Sequence, residues 1–132
     1  DRRHTCTFTP EPIHAGGLRY HGMSPLVSHL YETGMVEAIA IPQRECFAGA
    51  LQFARTEGIV PAPEPTHAIA AAIREALACK ESGEEKVILT ALCGHGHLDM
   101  ASYESYLSGD MVDYDLPDSV IADAMQSVPV IA

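Results

Sequence analysis

The chain has 132 residues, 47% hydrophobic and 20% charged, which is a globular composition of one-domain size. Eighteen acids against eight bases give a formal net charge of −10, so a nucleic-acid or anionic-membrane partner, which needs a basic face, is excluded. No apolar run approaches the ~20 residues of a membrane span, and no charged-then-apolar secretory leader is present.

Residues 1–23 read as loop, punctuated by Pro10, Pro12, Gly16, Gly17 and Gly22 without hydrophobic periodicity. Ser24-Pro25 predicts a helix start, Leu26, Val27, Leu30 and Tyr31 give it one apolar face, and Gly34 predicts its end. Val36 to Ile41 is a nearly continuous apolar run closed by Pro42, the pattern of a buried strand. Residues 43–56 repeat their apolar positions at helical spacing, and Glu57-Gly58 closes that helix. Ile59 to Pro65 holds three prolines and predicts an extended connector. A helix follows from about Thr66 to Glu81, with Gly83 beyond its end. Lys86 to Cys93 is the clearest strand, apolar on both faces as a central parallel strand is. Gly94-His95-Gly96-His97 predicts a tight loop, Asp99 the cap of a helix reaching Leu107 to Gly109, and a short helix spans about Pro117 to Met125.

This order implies an α/β class with a parallel sheet. Two strands fall short of the ~4–6 of a self-sufficient sheet, so residues 1–132 read as one incomplete domain. The chain opens Asp1-Arg2-Arg3 without an initiator methionine, and the expectation is a piece cut or processed from something longer. Such a piece exposes apolar surface that pairs, which predicts a homo-oligomer through residues 36–41 or 43–56. All eight basic residues lie at or before Lys86, leaving an acidic tail at about 110–132 that reads as a solvated surface or an acidic docking segment. Cys6, Cys46, Cys79 and Cys93 form no CxxC pair and lie mostly in apolar stretches, which fits free thiols and a cytoplasmic location.

Three segments carry chemistry-bearing residues. Cys93-Gly-His-Gly-His97 stands where a strand gives way to a helix, the position at which open α/β sheets bind ligands. His95 and His97 are metal-ligating types, but at that spacing they diverge if extended, and no third ligand is near in sequence. In Arg55-Thr-Glu57-Gly-Ile-Val-Pro-Ala-Pro-Glu64, Glu57 ends a helix, where the dipole disfavours a carboxylate, an inconsistency of the kind found at functional positions and also on plain surfaces. His14-Ala-Gly-Gly-Leu-Arg-Tyr-His-Gly22 is a glycine-punctuated loop suited to facing a ligand.

Taken together and in this order, GGLRYHG, ARTEGIVPAPEPTHAI and CGHGHLD resemble the C-terminal portion of tryptophan synthase beta chains, most closely their divergent second group. The resemblance covers nearly the whole chain. It implies a fold type II pyridoxal-phosphate lyase of three-layer α/β architecture that joins indole to L-serine or phosphorylated serine to make L-tryptophan. It also implies that Glu57 lies beside the cofactor and assists proton chemistry, with Cys93, Gly94 and Gly17 around the cofactor. Cys93 stands where the family has a serine against the pyridine nitrogen, and a thiol is the weaker hydrogen-bonding group. Backbone carbonyls of Leu18, Tyr20 and Gly22 would bind a monovalent cation. Arg19 replaces the family's substrate-facing aspartate and suits an extra anionic group.

The cofactor's Schiff-base lysine and phosphate loop belong to the family's upstream portion, so this chain alone is expected to be inactive. The missing N-terminal part of the same protein and small-molecule substrates are the partners this implies. The competing reading is a stand-alone α/β ligand-binding or subunit-interaction module without catalysis.

Overall fold

The structure, a computed structural model, describes residues 13–19, 24–114 and 117–126. Residues 13–113 form one compact unit, and the described residues from Tyr114 onward belong to another.

In the first unit, α1 spans Pro25–Glu32, with Pro25 in the opening turn as its fixed φ favours. Its Leu26, Val27 and Tyr31 are exposed, and Gly34 follows in the left-handed region at φ 70°. Helix α2 spans Gln43–Glu57 and buries Cys46, Phe47, Gly49 and Ala50. Pro42, which precedes it, has no side-chain acceptor to cap the first turn. That acceptor comes from 69 residues away, where Asp113 Oδ1 takes the Arg44 amide at 3.0 Å. Gly58, left-handed at φ 70°, ends the helix and donates to the Ala54 carbonyl at 3.1 Å.

Helix α3 spans Pro63–Ser82, so it begins inside the segment whose prolines predict a connector. Pro63 and Pro65 sit in its first turn, where a missing N–H forfeits no helical hydrogen bond. Helix α4 spans Met100–Ser108 and ends at Gly109, φ 84°. In the second unit, α5 spans Asp118–Met125.

The expected parallel sheet is not present among the described residues. Among the described residues there is no strand, and residues 36–41 and 86–93 carry no ladder hydrogen bonds. Val87 and Leu89 are 99% and 95% exposed, the reverse of the burial their apolar pattern predicts. A strand exists only through its neighbours, and the described residues supply none. What remains is one antiparallel bridge, Pro61 with His95.

That bridge sits on the core. Phe47, Ala50, Tyr103 and Met111 form the buried cluster, flanked by Leu51, Val60 and Tyr106. The Phe47 ring meets Tyr103 edge-on at 5.0 Å and stacks on Tyr106 at 5.8 Å, both favourable aromatic geometries. The Tyr103 hydroxyl donates to the Pro61 carbonyl at 2.5 Å, fastening α4 to the link between α2 and α3. Around it Gly96 N–H donates to Val60 O at 2.7 Å and Ala62 N–H to Gly94 O at 3.0 Å. Arg74 of α3 also grips Glu45 of α2 bidentately, holding the Glu45 carboxyl below its ordinary pKa. Both side chains are exposed, so the pair adds little stability.

The Gly96 position tolerates no side chain. A Cβ there would stand 2.4 Å from the Pro61 oxygen and 3.0 Å from Tyr103. Gly96→Ala is therefore expected to destabilise the chain by at least ~2 kcal/mol in chemical denaturation, the cost of overpacking against backbone.

Burial raises the Cys46 thiol from its ordinary 9.0 to about 11, and raises the Tyr103 phenol from 10.0 to about 12, with Asp99 adding to the latter. The fold disfavours both anions. Their stabilisation is thus complete below pH 9 and is lost as pH rises toward 12. Thermal unfolding across that window should show a falling Tm, with the fall reduced in Tyr103→Phe above pH 10.

Candidate functional site

The antiparallel crossing brings two of the three motifs together. Glu57 ends α2, Gly58 turns the chain, and Val60 to Ala62 then lie against Gly94 to Gly96. Opposite Ala62, Gly94 is so close that a Cβ added to it would stand 3.0 Å from the alanine Cβ. The third motif joins at the first turn of α3, where the Gly17 amide donates to Glu64 Oε1 at 2.9 Å. Gly17, Gly94 and Cys93 are thereby gathered around the start of α3. Glu57 precedes the crossing in sequence and is exposed, with no hydrogen bond to Cys93 among the described residues.

Arg19 ends a short 3-10 turn, Gly16–Arg19, in which Leu18 N–H donates to Ala15 O at 3.1 Å. The Arg19 guanidinium folds back over Gly16, where an added Cβ would lie 3.6 Å from Nη2. Leu18 is exposed; Tyr20 and Gly22, the other two expected cation ligands, lie outside the described residues. No group of three or more histidine, cysteine, aspartate or glutamate side chains among the described residues could hold a metal ion. The turn after His95 does bring the two histidine rings edge to face at 4.9 Å instead of letting them diverge.

His14 has a structural use. Its ring edge packs 6.3 Å from Phe47, its Nδ1 lies 3.2 Å from Ser102 Oγ, and its amide donates to Gln43 Oε1 at 3.4 Å. Gln43 also donates to the Val112 carbonyl. Sequence reasoning assigned no role to Gln43, Glu64, Tyr103 or Asp113. Each acts on a partner at least 42 residues away, and no local pattern signals such a contact.

An apolar groove of about 310 Å³ between α2 and α3 is lined by Phe53, Ile69, Ile73 and Ile88 and includes none of these site residues. The Cys93 thiol is exposed beside a close-packed glycine backbone, and Glu57 is exposed. Among the described residues no lysine stands in the shielded pocket that a Schiff base needs. Lys80 and Lys86 are exposed, and Lys86 is paired with Glu84 at 3.0 Å.

The chain is 62% identical over 106 residues to tryptophan synthase beta chain 2 of Aquifex aeolicus (strain VF5), covering 80% of this chain and 24% of that relative. It is 61% identical over 103 residues to tryptophan synthase beta chain 2 of Methanosarcina acetivorans, covering 78% of this chain and 23% of the relative. The chain belongs to the tryptophan synthase beta chain family. Similarity extends to the tryptophan synthase beta chain of Thermococcus onnurineus, 54% identical over 109 residues, which are 83% of this chain and 25% of that one. The chain thus spans about a quarter of the length of the curated relatives it matches. No protein-family model matches it.

The thiols offer a direct check on this geometry. Cys93 is exposed, whereas Cys46 is fully buried with its pKa raised by burial. A thiol reagent at neutral pH should modify Cys93 at least ~10²-fold faster than Cys46, as read by peptide mass spectrometry.

Proposed function

We propose that these residues are the C-terminal part of a pyridoxal-phosphate-dependent lyase that joins indole to L-serine or phosphorylated serine, giving L-tryptophan. The observation that carries the reading is the crossing of Val60–Ala62 with Gly94–Gly96, which ties the glutamate-bearing motif to the thiol-bearing one. The family membership supports it. Bound pyridoxal phosphate would supply an electron sink for chemistry at the amino acid. Cys93 would face the ring nitrogen as a weak hydrogen-bonding partner, with Gly94 and Gly17 lining the same rim. Glu57 would move a proton near the reacting carbon; its exposure here leaves its carboxylate available to a neighbouring surface.

Arg19 would receive an extra anionic group on the substrate, such as that of a phosphorylated serine, which suits a guanidinium better than a free hydroxyl does. The Leu18 carbonyl, with those of Tyr20 and Gly22, would hold a monovalent cation. The N-terminal remainder of the same protein would provide the Schiff-base lysine and phosphate loop, so this chain alone lacks activity. That remainder would also pair with residues 86–93, whose Val87 and Leu89 are almost wholly exposed. A homo-oligomer would cover further apolar surface through residues 36–41, where Val36 and Ile39 are exposed, or through residues 43–56. No helix among the described residues is long and apolar enough to cross a membrane. The free Cys46, Cys79 and Cys93 support a cytoplasmic setting.

In the full-length enzyme, Glu57→Ala should lower turnover by about 10²–10⁴, the range of a positioned acid–base group. Its Tm should stay close to that of the parent, because an exposed helix-end carboxylate is no packing element. Unchanged turnover, or a loss explained by unfolding, would remove Glu57 from the site.

A further inference from the structure

The Gly16–Arg19 turn is fastened to the body of its unit at two places. At its entrance His14 is held by Gln43, Ser102 and Phe47, all on helices of the core. Within the turn, the tie to a helix is the Gly17 amide donating to Glu64 Oε1 at 2.9 Å, across 47 residues of sequence.

Several features make Glu64 a built support. It is half-buried in the first turn of α3, where the helix dipole favours a carboxylate. Pro63 and Pro65 stand on either side, and their fixed φ angles stiffen the backbone that carries it. The approach also depends on Gly17, since a Cβ there would stand 3.1 Å from Glu64 Cγ. Glu64 forms no ion pair with Arg19, so it acts on the turn through the backbone and leaves the guanidinium's charge uncompensated by it.

We infer that Glu64 is a positioning residue. Through the Gly17 amide it sets the turn that presents Arg19, and so tunes affinity for a substrate that carries an extra anionic group, such as a phosphorylated serine. This rests on the reading of Arg19 as substrate-facing. A residue that only orients a binding group should move KM more than kcat.

The test uses full-length enzyme with L-serine and O-phosphorylated serine as alternative substrates. Glu64→Ala should raise KM for O-phosphorylated serine about tenfold, the worth of one hydrogen bond to a charged acceptor, with kcat within about twofold. Glu64→Gln keeps an acceptor oxygen and should restore KM to within about twofold. Amide hydrogen exchange over residues 15–19 should quicken in Glu64→Ala but not in Glu64→Gln. Gly17→Ala, which pushes a methyl group toward Glu64, should reproduce the KM increase should Glu64→Ala fail to fold.

An unchanged KM in Glu64→Ala, or a Glu64→Gln enzyme as impaired as Glu64→Ala, would overturn the inference. Arg19→Gln, assayed alongside, separates the two claims. If it raises KM while Glu64→Ala does not, the positioning role alone fails. If it leaves KM unchanged while Glu64→Ala raises KM and quickens exchange, Arg19 is not the binding group, and the positioning of the turn by Glu64 stands.

Discussion

The described chemistry depends on the hydrogen bond from the Tyr103 hydroxyl to the carbonyl of Pro61. Pro61 is fully buried and has no N–H, so its carbonyl is its one backbone polar group and must find a donor. The bond is made by a side chain of α4, and it brings α4 onto the link between α2 and α3. Phe47 then packs edge-on against the same ring, and Gly96 can slide beneath Pro61 only because it lacks a Cβ. Leaving a buried acceptor such as this unpaired costs about 1–3 kcal/mol. Two loops of the site thus hang on one buried phenol.

The helices were legible because their signals are local. Glycines in the left-handed conformation close α2, α3 and α4 where the sequence puts them, at Gly58, Gly83 and Gly109. The apolar spacing of residues 43–56 identified the face that buries Cys46, Phe47 and Ala50. The start of α3 departs from the expected connector because proline signals a connector and a helix first turn equally well. The strand reading of residues 36–41 and 86–93 rests on apolar runs, which record what a segment is suited to bury against. Whether it becomes a strand is decided by neighbours, and the chain spans only about a quarter of its curated relatives' length.

The site was legible in part. The motifs point to Cys93, Gly94, Glu57 and Gly17, and three of these gather near the start of α3 while Glu57 stands exposed at the end of α2. What could not be read was the means of assembly. Asp113 caps α2 from 69 residues away, and Glu64 holds Gly17 across 47. In sequence, Asp113 belongs to an acidic tail that reads as solvated surface, yet its carboxylate serves as a helix cap. A charge run reports composition, and only the fold tells which member of it has a fixed partner.

The two loops form one hydrogen-bonded crossing, which residue-resolved amide hydrogen exchange tests most directly. In the structure Gly96 N–H is bonded to Val60 O at 2.7 Å and Ala62 N–H to Gly94 O at 3.0 Å, outside any helix or sheet. These two amides should exchange with protection comparable to the buried helical amides of Phe47 and Ala50. Exchange at Ala62 and Gly96 as fast as at the exposed Val87 would contradict the account, because the motifs would then have nothing holding them together.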